Sequence, residues 1–317
     1  MFSRTYGIPS YRIMGSFFFL LVMLLLAVAL ADVPATVPSD KPAAEPGADG
    51  GGVPVVTDIN PAQQVTYRST DTDIHALLIT PKVATPVTPT PSIIIVHEIF
   101  GITPFIKTQA ETLARQGYTI LLPNLYSRLP ESDKPYDANG AWSAYNQTRD
   151  QQIMEDLSAS IQFLQADGKS TAKQPLGIVG YDMGGSFAML MAGTDLRISV
   201  AVNYYGRILY ATTSAARPAS PVESLFNLRA PLLSFYGTTD PQVPETHVSA
   251  LRSRLANNPN KTFYEIVLYP NVGHSFLVPV RPGYNKDAAV QSEEKTRLFL
   301  ARFLRAQPLP KPSEPQS

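Results

Sequence analysis

Unbroken apolar runs alternate with helical stripes through most of this chain. Ile93-Ile-Ile-Val-His97 is almost entirely β-branched, the pattern of a strand covered on both faces. Tyr118-Thr-Ile-Leu-Leu122, Leu176-Gly-Ile-Val-Gly180, Val200-Ala-Val-Asn-Tyr204, Leu232-Leu-Ser-Phe-Tyr236 and the segment 263–269 read the same way. His75-Ala-Leu-Leu-Ile-Thr80 reads as a partly exposed strand. Between these runs the spacing predicts helices over 104–116, 150–166, 185–192, 244–256 and 288–304. Ile153, Leu157, Ile161 and Leu164 form one stripe of the second helix, and Gly117 follows the first where a C′ glycine belongs. Alternation of this kind predicts a mostly parallel, doubly wound α/β sheet with helices on both faces. Ligands of such sheets sit beyond the carboxyl ends of the strands.

The two ends of the chain break the pattern. Arg4 and Arg12 precede 14 consecutive apolar residues, Phe17 to Leu30, closed by Ala29-Leu-Ala31. A basic start, an apolar run shorter than the ~20 residues of a span and a small-x-small end predict an export signal over 1–31. An uncleaved signal anchor is the alternative, and either predicts a body outside the inner membrane, periplasmic or secreted. Residues 32–55 hold five prolines and four glycines, so 32–62 reads as a tether unable to bury enough surface to order itself. The proline run 81–91 reads as a loop, 306–317 as a loose tail, and 63–305 as one folded domain.

Composition narrows the chemistry. Lys+Arg and Asp+Glu are equal at 26 each, which argues against a nucleic-acid partner. With no cysteine, thiol catalysis and iron–sulfur or zinc-thiolate sites are excluded, and the four histidines (His75, His97, His247, His274) show no metal-ligand spacing. No cofactor or metal is expected. A small-molecule substrate is the expected partner, with no stable protein partner and membrane contact only through the N-terminal segment if it is retained.

Three predicted strand ends carry reactive side chains. Gly180-Tyr-Asp-Met-Gly184 lies between a strand and a helix, as a tight nucleophile turn does, with Asp182 in the central place. The competing reading is that Asp182 only caps the helix. Asp240 follows another strand in an Asp-Pro turn that could be ordinary turn chemistry. His274 follows Gly273 after the last strand. Asp182, Asp240 and His274 run in the order nucleophile, acid, histidine, the chain order of α/β-hydrolases.

Val96-His-Glu-Ile-Phe-Gly101, Leu121-Leu-Pro-Asn-Leu-Tyr126, Gly177-Ile-Val-Gly-Tyr181, Tyr204-Tyr-Gly206 and Gly273-His-Ser-Phe276 together resemble the dienelactone hydrolase family over about residues 65–304. The resemblance implies an α/β-hydrolase fold without a large cap domain, and hydrolysis of esters or lactones. It implies Asp240 as the acid and His274 as the base of the site. It also implies Glu98 beside the nucleophile, and an oxyanion hole from the backbone N–H groups of Ile99 and Met183. Two positions depart from the family pattern. Asp182 stands where the family has cysteine, and Val278 replaces the arginine four residues after the histidine, leaving Arg128, Arg149 and Arg281 as nearby candidates.

A carboxylate attacking an ester carbonyl gives an anhydride, uphill from the ester. Attack on a saturated carbon bearing a halide, or on an epoxide, gives a stable enzyme ester that activated water can hydrolyse. Departing groups then need donors, for which Trp142, Tyr145, Tyr204 and Tyr205 are the candidates. Two further readings stand beside covalent attack: general-base hydrolysis of an activated ester, and a binding protein on a hydrolase scaffold.

Overall fold

The computed structural model describes residues 58–82, 90–130, 136–166, 169 and 171–305. The predicted signal, most of the tether, part of the proline loop and the tail lie outside them. Residues 58–60, inside the stretch read as tether, are tied to the sheet: Asn60 N–H donates to Thr80 O at 2.9 Å and Ile59 bridges Pro81. Among the described residues no helix is long and apolar enough to cross a membrane.

Among the described residues eight strands form one sheet: β1 (Gln63–Arg68), β2 (Asp73–Ile79), β3 (Ser92–Val96), β4 (Thr119–Pro123), β5 (Leu176–Tyr181), β6 (Val200–Tyr204), β7 (Leu232–Gly237) and β8 (Tyr264–Tyr269). Their spatial order is β1-β2-β4-β3-β5-β6-β7-β8. The first two strands join antiparallel and the other six run parallel. The helices are α1 (Pro104–Arg115), α2 (Ala138–Gln147), α3 (Asp150–Gln165), α4 (Met183–Thr194), α5 (Pro221–Ser224), α6 (Glu245–Ala256) and α7 (Lys286–Arg305).

Two hydrophobic cores explain the unbroken apolar strands. Side chains of a strand alternate between faces. Ile94 and Val96 enter the core under α3, α4 and α6, while Ile93 and Ile95 enter the core under α1 and α7. Both faces of β3 are therefore dry, and Ile93 to Val96 are all 0 % exposed. The fold is that of an α/β-hydrolase, with no closed barrel among the described residues. Strand β1 and helices α2 and α5 escaped the sequence pattern. Alternation in Gln63–Arg68 is blunted by its exposed edge, and Ala138–Gln147 buries only Ala141 and Ala144. The helix predicted over 185–192 begins two residues earlier, at Met183, directly after the site turn.

Candidate active site

The carboxyl ends of β3, β5, β7 and β8 meet at one rim of the sheet. Asp182 leaves β5 at φ 53°, ψ −118°, in the strained region that a tight strand-to-helix turn demands. Only glycine fits on either side: a Cβ on Gly180 would lie 2.0 Å from Gly184 O, and one on Gly184 2.1 Å from Val96 O. The Asp182 side chain makes no helix-capping bond, so the capping reading fails. It points into the site instead.

Its two oxygens have different partners. Oδ2 accepts from the Ile99 backbone N–H at 3.1 Å, and Oδ1 lies 3.1 Å from His274 Nε2. His274 Nδ1 lies 2.7 Å from Asp240 Oδ2, whose sister Oδ1 accepts from Gln242 N–H at 2.8 Å. Tyr205 packs edge-on against the imidazole, centroids 5.2 Å apart. All three predicted side chains are thus joined in one line, across sequence gaps of 92 and 34 residues.

Charge follows from this geometry. Burial alone would raise the Asp182 carboxyl, but His274, then the Ile99 and Met183 N–H groups, outweigh it and hold the group below its ordinary value. Burial alone would lower the His274 ring, but Asp182 and then Asp240 hold its proton and carry it up to about 9. Both neighbouring acids thus favour the protonated ring. Glu98, 1 % exposed, sits behind Asp182, and neither of its oxygens has a hydrogen-bond partner among the described residues. Burial first, and the Asp182 charge second, push Glu98 up to about 7.

A cavity of about 350 Å³ opens over Asp182 and His274. Trp142, Tyr145, Arg207, Tyr210, Gln242 and Arg281 are among its walls. Of the candidate donors, Trp142 and Tyr145 face it. Tyr204 does not, its hydroxyl being tied to Thr296 Oγ1 at 2.6 Å and Ser292 O at 3.1 Å, and Tyr205 is fully buried. Of the candidate arginines, only Arg281 lines the cavity, its guanidinium 3.6 Å above the Phe100 ring. Arg128 is instead spent on Asp156, at 2.7 Å, and Asp71. Sequence reading missed Arg207, whose Nη2 donates to Gln242 Oε1 at 2.9 Å. It also missed Tyr210, whose hydroxyl donates to Asp150 Oδ2 at 3.4 Å. Arg207 stands three residues past β6, so a search just beyond every strand's carboxyl end would have found it.

The sequence profile of the dienelactone hydrolase family matches residues 74–304, which span the whole sheet except β1 and the first residue of β2. The chain belongs to this family. It is, with its relatives, a hydrolase. A carboxymethylenebutenolidase homologue from Methylorubrum extorquens is 33 % identical over 202 residues, 63 % of this chain and 68 % of that one. A Bradyrhizobium relative, named as a 2-oxo-3-(5-oxofuran-2-ylidene)propanoate lactonase, is 30 % identical over 66 % of this chain and 83 % of its own. Among solved structures, a dienelactone hydrolase homologue from Klebsiella pneumoniae superposes with a TM-score of 0.70 at 27 % identity, over 78 % of this chain and all of that one.

Proposed function

We propose that this family member hydrolyses small anionic electrophiles through covalent attack by Asp182 on a saturated carbon bearing a halide or an epoxide oxygen. One observation carries the reading: Asp182 Oδ2 occupies the Ile99 N–H donor. An ester hydrolase needs that donor free for the substrate's carbonyl oxygen. Here the carboxylate fills the hole itself, which is where its oxygen must sit if the bond to be hydrolysed is an ester of Asp182.

The steps balance. Oδ1 attacks carbon, the carbon–halogen or carbon–oxygen bond breaks, and the leaving group takes the electron pair. An epoxide oxygen takes a proton from the His274 imidazolium, directly or through a phenol of the cavity wall that the imidazolium then reprotonates; a halide leaves as the anion and the imidazolium proton passes to solvent. Loss of the Asp182 charge removes the group that held the His274 proton most strongly. The free imidazole then takes a proton from water, which attacks Cγ. The Oδ2 oxyanion is stabilised by the Ile99 and Met183 N–H groups, and collapse releases the alcohol and restores the carboxylate. Asp240 keeps the ring oriented throughout.

Substrate charge follows from the walls. Arg207 and Arg281 form no ion pair with a carboxylate among the described residues, although both line the cavity. Two guanidiniums without a direct carboxylate partner favour a substrate that brings an anion. The propanoate in the Bradyrhizobium relative's name fits that preference.

A second reading keeps the lactone chemistry of the relatives. It is favoured by the intact 2.7 Å bond between His274 and Asp240, and it requires Asp182 to leave the hole and serve with His274 as base on water. A single turnover in ¹⁸O water separates the two, run with a panel of haloacids, epoxy acids and lactones. Covalent attack places the label in the Asp182 peptide. Turnover with no label there overturns it in favour of the second reading. We further propose, from the sequence of residues 1–31, that the reaction takes place outside the cytoplasm; a fusion reporter assayed in cell fractions tests this.

A further inference from the structure

The Ile99 N–H reaches Asp182 because something else fixes the peptide that carries it. His97, at the end of β3, is 0 % exposed and takes no part in the charge relay. Its Nδ1 lies 2.6 Å from Glu98 O, an acceptor only, so Nδ1 carries the proton. Its Nε2 lies 3.0 Å from the Leu125 backbone N, a donor only, so Nε2 is bare. The two bonds define one neutral tautomer and bridge the loops after β3 and β4. Burial, which pushes this ring down to about 4, keeps it neutral across the working range.

Glu98 O also accepts from Gly101 N–H at 3.1 Å, closing a tight turn in which Gly101 adopts φ 80°. The next carbonyl, Ile99 O, accepts from the Tyr126 hydroxyl at 2.8 Å. A trans peptide points its C=O and N–H in opposite directions. Pinning Glu98 C=O toward His97 and Gly101 therefore aims Ile99 N–H the other way, at Asp182 Oδ2. Flipping that peptide would strip two hydrogen bonds from Glu98 O and turn a carbonyl oxygen toward a carboxylate.

We propose that His97 is the positioning residue of the oxyanion hole, a neutral imidazole wedged between Glu98 O and Leu125 N–H that locks the Glu98–Ile99 peptide with its N–H facing the site. The lock itself is read from the structure. Only its kinetic consequence rests on the covalent reading above.

The test uses the full chain and the variants His97→Gln, which supplies one donor and one acceptor, and His97→Leu, which fills the space with neither. Protein labelled with ¹⁵N-isoleucine reports the Ile99 amide proton, assigned by its loss of hydrogen bond in Asp182→Ala. The proton should stay downfield in His97→Gln and move upfield in His97→Leu. In single turnover, decay of the enzyme ester should slow about 100-fold in His97→Leu, the effect of losing one oxyanion donor, while ester formation changes less than about threefold. His97→Gln should recover decay to within about tenfold of the parent. An Ile99 proton indifferent to His97→Leu, or equal slowing of both steps, overturns the lock. Should His97→Leu fail to fold, the ¹⁵N shifts of the parent ring decide: a proton on Nε2, or a mixture of tautomers, overturns it. If the Ile99 proton responds as expected but no ester forms in any variant, the lock stands and the covalent reading fails.

Discussion

Asp182→Asn removes one charge from the site while keeping its shape, and the effect should be read at His274. The imidazolium, at about 9, owes more of its stabilisation to Asp182, 3.1 Å away, than to any other group. For charge centres about 4 Å apart in an effective dielectric of about 20, the attraction is about 4 kcal/mol. At about 1.4 kcal/mol per unit, that corresponds to a fall of about 3 units, leaving the ring to titrate near 6. Ring NMR of His274 between about pH 4 and 10 measures this directly, with Asp240→Asn as the companion. The stability curve gives a second readout. A ring raised from 6.5 to about 9 on folding contributes about 3 kcal/mol, fully present below 6.5 and lost as pH rises through 9. Melting temperature of the parent should fall between neutral pH and about 10, and that of Asp182→Asn should not. The asparagine variant also carries the charge of the proposed enzyme ester, so its titration reports how readily His274 would become a base after the proposed first step. A ring in Asp182→Asn that still titrates within about half a unit of the parent would refute the coupling, and with it the order of steps.

Asp182→Cys empties the hole and should raise hydrolysis of aryl esters at least about 100-fold over the parent, measured by phenol release. Glu98→Gln removes a carboxyl raised from 4.5 to about 7, whose contribution is present below 4.5 and lost as pH rises through 7. The variant should therefore melt higher than the parent at pH 8, by the equivalent of up to about 3 kcal/mol, with little difference at pH 4. Arg281→Ala should raise KM for an anionic electrophile about 10- to 100-fold and leave its neutral amide analogue nearly unaffected, as steady-state kinetics would show. Gly184→Ala drives a Cβ to 2.1 Å from Val96 O and should cost about 3 kcal/mol or more by denaturant unfolding.

What the sequence made legible was set by which interactions are local. Buried strands such as Ile93–Val96 and the stripe of α3 announce themselves because both faces, or one, must be apolar. Edge strand β1 and the loosely packed α2 carry no such constraint. Asp182 and Asp240 were legible because each follows a buried strand and His274 because it follows the half-buried last one, and register alone brings β5, β7 and β8 ends to one rim. The cavity walls were legible only in part: Trp142 and Tyr145 stood among the candidates without a place, and Arg207 and Tyr210 were missed, because all four come from α2 and the long connection after β6, whose paths are fixed by contacts remote in sequence. Arg217 shows how: it bonds Thr148 O at 3.0 Å and Tyr145 O at 2.9 Å, sets its guanidinium 4.1 Å above the Tyr145 ring, and pairs with Asp150 at 3.1 Å. Nothing in the spacing of those residues announces that clamp.

In the covalent mechanism we propose, a carboxylate at position 182, where the family resemblance implies a thiol, does more than replace one nucleophile by another. A cysteine has one reactive atom and leaves the hole to the substrate. Aspartate has two oxygens, and here each already has its place, one on Ile99 N–H and one on His274. In the proposed mechanism its own Cγ is consequently the carbon on which the hole and the base would act. That carbon is a sensible target for water only after Oδ1 has been esterified, since a free carboxylate repels the nucleophile and holds the base protonated. In the proposed mechanism the first step would therefore switch on the second by removing a single charge. A site with the same fold and the same histidine, but a neutral residue at 182, would lack that ordering.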